Sequence, residues 1–292
     1  MGTISCVAQE AQDRGARDTF DSVGTEVVAL EVIADLLRDT QLDLADIADI
    51  ETGDCLPGVS TGESSSDDNG LVWVKIPAGC FQMGCSAGDE ACLGDEKPAH
   101  RAQISAFELL ETEVTEAQYE AVMASNPSCR YNDTGGSEFP VECVAWIEAK
   151  TFCETVGGRL PTEAEWEYSL RAGTTSVFSC GEDQSCVGEV AWYFGNSGGQ
   201  KHPVKTKRAN EYAVYDMLGN VQEWTNDWYD EYYYSTGPAG DPPGPDSGAL
   251  RVMRGGSFGD DLNRVFCASF RFPEDPAKAT GRIGIRCARD LP

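Results

Sequence analysis

Histidine is almost absent: the 292-residue chain has two, His100 and His202, both close to prolines. A three-histidine iron centre is therefore excluded within one chain. A site of two histidines and one carboxylate would have to recruit both of these distant residues, and surface or hydrogen-bonding roles are the simpler expectation. Basic residues are also few, 22 against 49 acidic, for a net charge of −27. Such a field repels phosphate, which disfavours nucleic acid and anionic membrane surfaces as partners. No apolar run is long enough to span a bilayer. No G-x-S-x-G elbow, P-loop or dinucleotide fingerprint stands in a strand-to-helix context. The opening MGTISCVAQEAQDRG has no basic region followed by an apolar core, so it does not read as a signal peptide, and a native leader is expected to be absent from this chain.

Cysteine, by contrast, is abundant. There are 12, scattered without a C-x-x-C pair, which argues for disulfides in an oxidising compartment rather than zinc or iron–sulfur ligation. A secreted or periplasmic protein is expected. Cys85 and Cys92 are spaced to close a small loop, leaving Cys80 for another partner; Cys180 pairs locally with Cys186, or Cys267 joins one of them.

Along the chain, residues 16–50 read as acidic and helical, with Val28, Val32, Leu36 and Leu37 on one side. STGESSSDDNG, Ser60 to Gly70, has linker composition. The expected organisation is thus an acidic, partly helical extension with linker over residues 1–70 and a folded domain over 71–292. Leu71 to Ile76 and Cys80 to Met83 read as strands broken by Pro77-Ala78-Gly79. Thr115 and Gln118 form a capping box for a helix through Met123, and a further helix over Val144 to Val156 places Trp146, Ala149, Cys153 and Val156 on one stripe. In GGRLPTEAEWEYSLRAG, Gly157 to Gly173, Thr162 and Glu165 make a second capping box, Trp166 and Leu170 share a face, and Gly173 can take positive φ past the end. Glu163 and Glu167 on this helix repel weakly unless a cation or a buried arginine answers them; the plain expectation is a surface helix with acidic outer residues. The first half is therefore α+β. From Cys180 to Asp246 glycines, asparagines and aromatics dominate, so long loops anchored by rings such as Trp224, Trp228 and Tyr232 to Tyr234 are expected.

Four separated motifs carry a family resemblance: RLPTEAEWEY, YDMLGNVQEWTNDWY (Tyr215 to Tyr229), RVMRGGSF (Arg251 to Phe258) and GRIGIRCARD (Gly281 to Asp290). In this order they resemble the formylglycine-generating enzyme and sulfatase-modifying-factor family, from about Leu71 to Asp290. The resemblance implies an α+β, C-type-lectin-like fold with short strands, a few helices and long loops. It also implies a disulfide between Cys153 and Cys287, joining the central helical region to the C-terminal strand.

The resemblance implies a copper site too, held in the enzymes by two cysteines after GGS and an aromatic residue. Here those positions fall at Asp260 and Val265, and hard oxygen groups do not suit Cu(I), so copper is not expected. Structural Ca²⁺ is expected instead. By resemblance its ligands are Asn220 and Glu223 with carbonyls of Gly219 and Val221, and at a second site Asn196 and Glu211. The glycine-rich C-terminal loop is the expected recognition surface, through Phe258, Asp260, Asp261, Asn263, Arg264 and Arg271. The functional expectation is a Ca²⁺-stabilised, monomeric module that recognises a peptide, protein or carbohydrate without oxidase activity. The alternative is an oxidase converting a peptidyl cysteine to formylglycine through an atypical metal site.

Overall fold

The computed structural model describes residues 55–129, 135–262 and 266–291. In chain order the strands are β1 (Ser64–Ser66), β2 (Val72–Ile76), β3 (Gly79–Met83), β4 (His100–Ile104), β5 (Phe107–Leu110), β6 (Ala191–Trp192), β7 (Leu218–Gly219), β8 (Gln222–Trp228), β9 (Arg251–Arg254), β10 (Phe272–Glu274), β11 (Ile283–Gly284) and β12 (Ala288–Asp290). Three longer helices, α1 (Glu116–Met123), α2 (Trp146–Thr155) and α3 (Glu163–Arg171), are followed by the short turns α4 (Val187–Val190), α5 (Phe194–Ser197) and α6 (Tyr233–Thr236). One sheet has the antiparallel order β1-β2-β5-β12. The other runs β10-β9-β8-β11, with β11 parallel to β8. This is the mixed architecture of short strands and long loops that the motifs implied.

The linker composition of residues 60–70 does not keep them out of the fold. β1 pairs with β2 in register Ser64 to Val74, and Cys55 is bridged to Cys80. The folded unit accordingly begins at Cys55, because two local ties outweigh a polar sequence. The acidic helical extension expected upstream lies outside the described residues.

Both capping boxes form. The Thr115 hydroxyl accepts from Gln118 N while the Gln118 side chain accepts from Thr115 N, and Thr162 and Glu165 do the same for α3. Helix α3 ends at Ala172, which takes left-handed φ of 43°, with Gly173 following at 93°. Its environment differs from the surface expectation: all nine residues of α3 are buried. The reason is that arginines from distant segments answer its acids, so the helix runs through the protein rather than over it.

Two apolar clusters flank this axis. Trp166 and Leu170 of α3 pack with Val74, Ile76, Phe107 and Leu218, whereas Trp146, Ala149, Phe152 and Cys153 of α2 pack with Trp73, Trp224, Ile285 and Cys287. The second cluster contains the Cys153–Cys287 disulfide, which spans 134 residues. Cys85–Cys92, Cys180–Cys186 and Cys129–Cys143 complete the bridges, leaving Cys267 as the free cysteine among the described residues. Neither alternative pairing of Cys267 occurs.

Candidate functional site

The buried acids of α3 organise the loops around them. Glu163 receives Arg271 on both oxygens, and Glu167 receives Arg171 Nε at 2.8 Å and Arg254 Nη2 at 2.6 Å. Burial opposes the charge on Glu163, yet Arg271 and Arg254 hold its carboxyl below the ordinary range. The same arginines clasp backbone carbonyls: Arg254 donates to Ala268, Ser269 and Phe270, and Arg171 to Gly84. One helix thereby fixes two long loops, residues 84–96 and 266–271, side by side.

Between those loops lies an opening of about 760 Å³ lined by Asp89, Phe178, Asp183 and Cys267 among others. The Cys267 thiol, pushed up to about 12 by burial with Asp89 and Glu96 adding negative charge, donates to Asp89. Asp89 Oδ2 is also 3.4 Å from Cys92 Sγ. Asp89, Cys92 and Glu96 offer ligand atoms within 4.8 Å of one another. Glu96 is itself raised by burial, although it accepts from Ser269 Oγ at 2.6 Å. A second group, Cys129, Glu142 and Cys143, has comparable spacing. Its two sulfurs form one disulfide, and Glu142 faces Lys201 Nζ at 3.3 Å. Sequence reasoning read the GDEACLGDE insertion only as a disulfide loop, and the approach of Cys267 to it depends on the arginine ties just described.

Of the expected recognition residues, the four described ones, Phe258, Asp260, Asp261 and Arg271, differ in exposure. Phe258 is buried, with Arg282 5.7 Å from its ring, and Arg271 is buried against Glu163. Asp260 Oδ2 accepts from Ser257 N and Oγ, at 2.8 and 2.7 Å, locking the loop. Asp261 is exposed. Asn263, Arg264 and also Val265 lie outside the described residues. At the copper position Asp260 is therefore an oxygen ligand already committed to its own loop, and the residues do not fit a two-thiolate Cu(I) site.

At GNVQEW, Asn220 sits at φ 51° and its amide is fully used, donating to Glu113 Oε2 and His202 O while accepting from His202 N. Val221 N donates to the other oxygen of Glu113. Gly219, at φ 78°, passes so close to Trp192 that a Cβ would lie 2.2 Å from its carbonyl oxygen. Glu223 accepts from Trp166 Nε1 at 2.6 Å and from Arg286 Nη2 at 2.8 Å. Three buried carboxylates, Glu113, Asp216 and Glu223, thus face one buried arginine. Burial, with Asp216 and Glu223 adding to it, pushes Glu113 well above the carboxylate range, and burial lifts Asp216 to about 6. Asn196 and Glu211 do not join this group: Asn196 caps α5 through Tyr193 N, and Glu211 is exposed on a turn. Glu113 and Asp216 escaped notice because neither lies in the GNVQEW run.

Comparison with known proteins fits this architecture. Residues 62–291 match the sulfatase-modifying factor enzyme 1-like domain. The chain belongs to the sulfatase-modifying factor enzyme family. A formylglycine-generating enzyme of Streptomyces coelicolor is 28% identical over 278 residues, covering 74% of this chain and 88% of the relative. A protein named serine/threonine-protein kinase pkn1 of Chlamydia caviae is 34% identical over 246 residues, 75% of this chain but only 38% of that protein. Among solved structures, Treponema denticola variable protein 1 superposes with TM-score 0.71 at 29% identity, covering 79% of this chain and all of its own, 100%. PvdO from Pseudomonas aeruginosa has the same TM-score of 0.71 at 26% identity, covering 79% and 98%. Among the described residues of this family member every cysteine but Cys267 is paired in a disulfide, which leaves no free copper-binding pair there.

Proposed function

We propose that the chain is a formylglycine-generating-enzyme-like protein that acts on a cysteine-bearing peptide at the opening beside Cys267, through an atypical metal site. One juxtaposition supports this reading: the free thiol of Cys267 and the sulfur of Cys92 both approach Asp89, with Glu96 in the same group. Two-electron reduction of Cys85–Cys92 by an external dithiol, which is itself oxidised to a disulfide, would free the Cys92 thiol beside two carboxylates, a mixed sulfur and oxygen set for a transition metal. Metal binding would draw off the proton that burial retains on Cys267. The fold would hold the peptide while Asp89 positions the thiol. Secretion or periplasmic residence is part of the proposal, supported by five disulfides. Oxygen uptake with cysteine-containing peptides, measured on oxidised and on mildly reduced protein during metal titration, tests it. Peptide-dependent uptake that disappears in Cys267→Ser is expected; no uptake in either redox state removes the oxidase reading.

A second reading, recognition of a peptide, protein or carbohydrate without oxidation, is favoured by the bridge on Cys92 and by the protonated state of Cys267 at neutral pH. Calcium stabilisation at Asn220 and Glu223 accompanies that reading. Support for it comes from the excess of buried carboxylate over arginine around Glu113, Asp216 and Glu223. Retained peptide binding in the absence of oxygen uptake would select it.

A further inference from the structure

Beside the opening at Cys267, and joined to it where Phe270 N donates to Cys267 O at 3.1 Å, a second opening of about 500 Å³ shares none of its lining residues. Its walls are the rings of Tyr229, Tyr232, Phe270 and Phe272, and its rim carries Asp95 and Glu231. Tyr232 stands out because it keeps 67% of its surface in water, on a protein that buries most of its large rings. Its hydroxyl is hydrogen-bonded to the neighbouring Glu231 carboxylate, which holds that charge beside the ring. Tyr229 OH donates to Asp95 Oδ2 at 2.8 Å, so the opposite wall pairs ring and carboxylate in the same way. Arg271 is the basic side chain in the lining. It is fully engaged by Glu163 and by the carbonyls of Asp95 and Asp230, so it adds no free positive charge.

We infer that this groove docks a basic peptide segment, with an arginine or lysine side chain laid on Tyr232 and its charge met by Glu231 and Asp95. Rings paired with carboxylates suit a guanidinium, which takes a π face on its plane and anionic oxygens at its edge. The long-range field acts in the same direction: a net charge of −27 draws cations toward the surface, and the ringed groove selects where they settle. An acidic or phosphorylated segment is disfavoured by both features. The proposal concerns binding alone and stands apart from any reaction at Cys267.

The experiment follows the fluorescence anisotropy of a short labelled peptide alternating arginine and glycine, against a glutamate and glycine counterpart. Saturable binding of the arginine peptide, weakening as salt is raised, is expected, with none for the glutamate peptide. Tyr232→Ala should weaken binding about two- to fivefold, the range for an exposed cation on a ring. Glu231→Gln should weaken it and reduce its salt dependence. Both positions are exposed, and unchanged thermal melting would show that each variant is folded. A control variant, Glu120→Gln with Glu138→Gln, removes two exposed charges elsewhere and should bind as the parent does. Equal weakening in the control and in Glu231→Gln, with none in Tyr232→Ala, would reduce the effect to net charge and overturn the proposal. So would the absence of saturable binding.

Discussion

Arg271 and Glu163, 108 residues apart in sequence, meet in the core through two hydrogen bonds, Nε to Oε1 at 2.8 Å and Nη2 to Oε2 at 2.9 Å. The pair matters because a charge left alone there has no water to turn to. Breaking such a pair from one side costs roughly 3 to 5 kcal/mol, whereas replacing both partners by apolar groups costs far less. Arg271→Met alone should therefore lower stability to urea by about that amount. Adding Glu163→Leu should recover part of it. A loss below about 1 kcal/mol in Arg271→Met would mean that Arg254, 3.6 Å from Glu163, serves as a substitute.

Asp227 gives a pH dependence. Its carboxylate accepts from Glu163 N at 2.8 Å, and burial together with the Glu163 charge raises its acid well above the ordinary range. A carboxyl with a raised folded value holds its proton more tightly when folded. Its contribution is therefore complete at low pH and fades as pH rises from the ordinary carboxylate range through the raised value. Asp227→Asn keeps an acceptor for Glu163 N and removes the charge. It should match the parent near pH 4 and be the more stable of the two at pH 8, as read by urea denaturation. The reverse order at pH 8 would mean that the ionised form is favoured.

Cys267 should be chemically quiet. With its thiol pushed up to about 12 by burial, little thiolate exists at neutral pH, and the side chain is buried. Alkylation of native protein at pH 7.5 followed by peptide mapping should leave Cys267 largely unlabelled, with full labelling after unfolding. Prior reduction of Cys85–Cys92 should speed labelling of Cys267, because the loop bearing Asp89 is then untied. Rapid labelling of the native, oxidised protein would show that the thiolate is accessible.

The local devices were legible in the sequence. Thr162 with Glu165 and Thr115 with Gln118 each need only residues three apart, so the capping boxes could be read without the fold. The Cys153–Cys287 bridge was legible only through family motifs, since nothing local links residues separated by 134 positions. What stayed open was which distant arginines would answer the acids of α3. Glu163 and Glu167 looked like solvent-facing acids until Arg254 and Arg271 arrived from the C-terminal segment. Phe258 and Arg271 were read as ligand contacts because composition cannot tell an exposed loop from one drawn inward by a buried carboxylate. Cys55, upstream of a polar linker, gave no sign that it would bridge to Cys80 and bring residues 55–70 into the fold.

Calcium provides the remaining test, and the charge count around GNVQEW states what it would have to do. Glu113, Asp216 and Glu223 are buried together, and Arg286 is the buried cation that faces all three. A divalent cation would relieve the carboxylates left unmatched. It would have to draw on Asn220 and Glu223 while competing with the hydrogen bonds from His202 N and Arg286. A ligand bound only to the folded state adds about 2.7 kcal/mol at a hundredfold excess over its dissociation constant. The melting temperature in calcium should therefore exceed that in chelator. Single melting temperatures of variants are uninformative, because Glu223→Ala strands Arg286 whether or not calcium binds. The informative quantity is the difference between calcium and chelator for each variant, and that difference should largely vanish in Asn220→Ala and Glu223→Ala. Coincident melts of the parent protein in calcium and in chelator would leave Arg286, with the hydrogen bonds that Asn220 and Val221 donate to Glu113 and Lys205 N donates to Asp216, as the whole means by which this cluster is kept in the core.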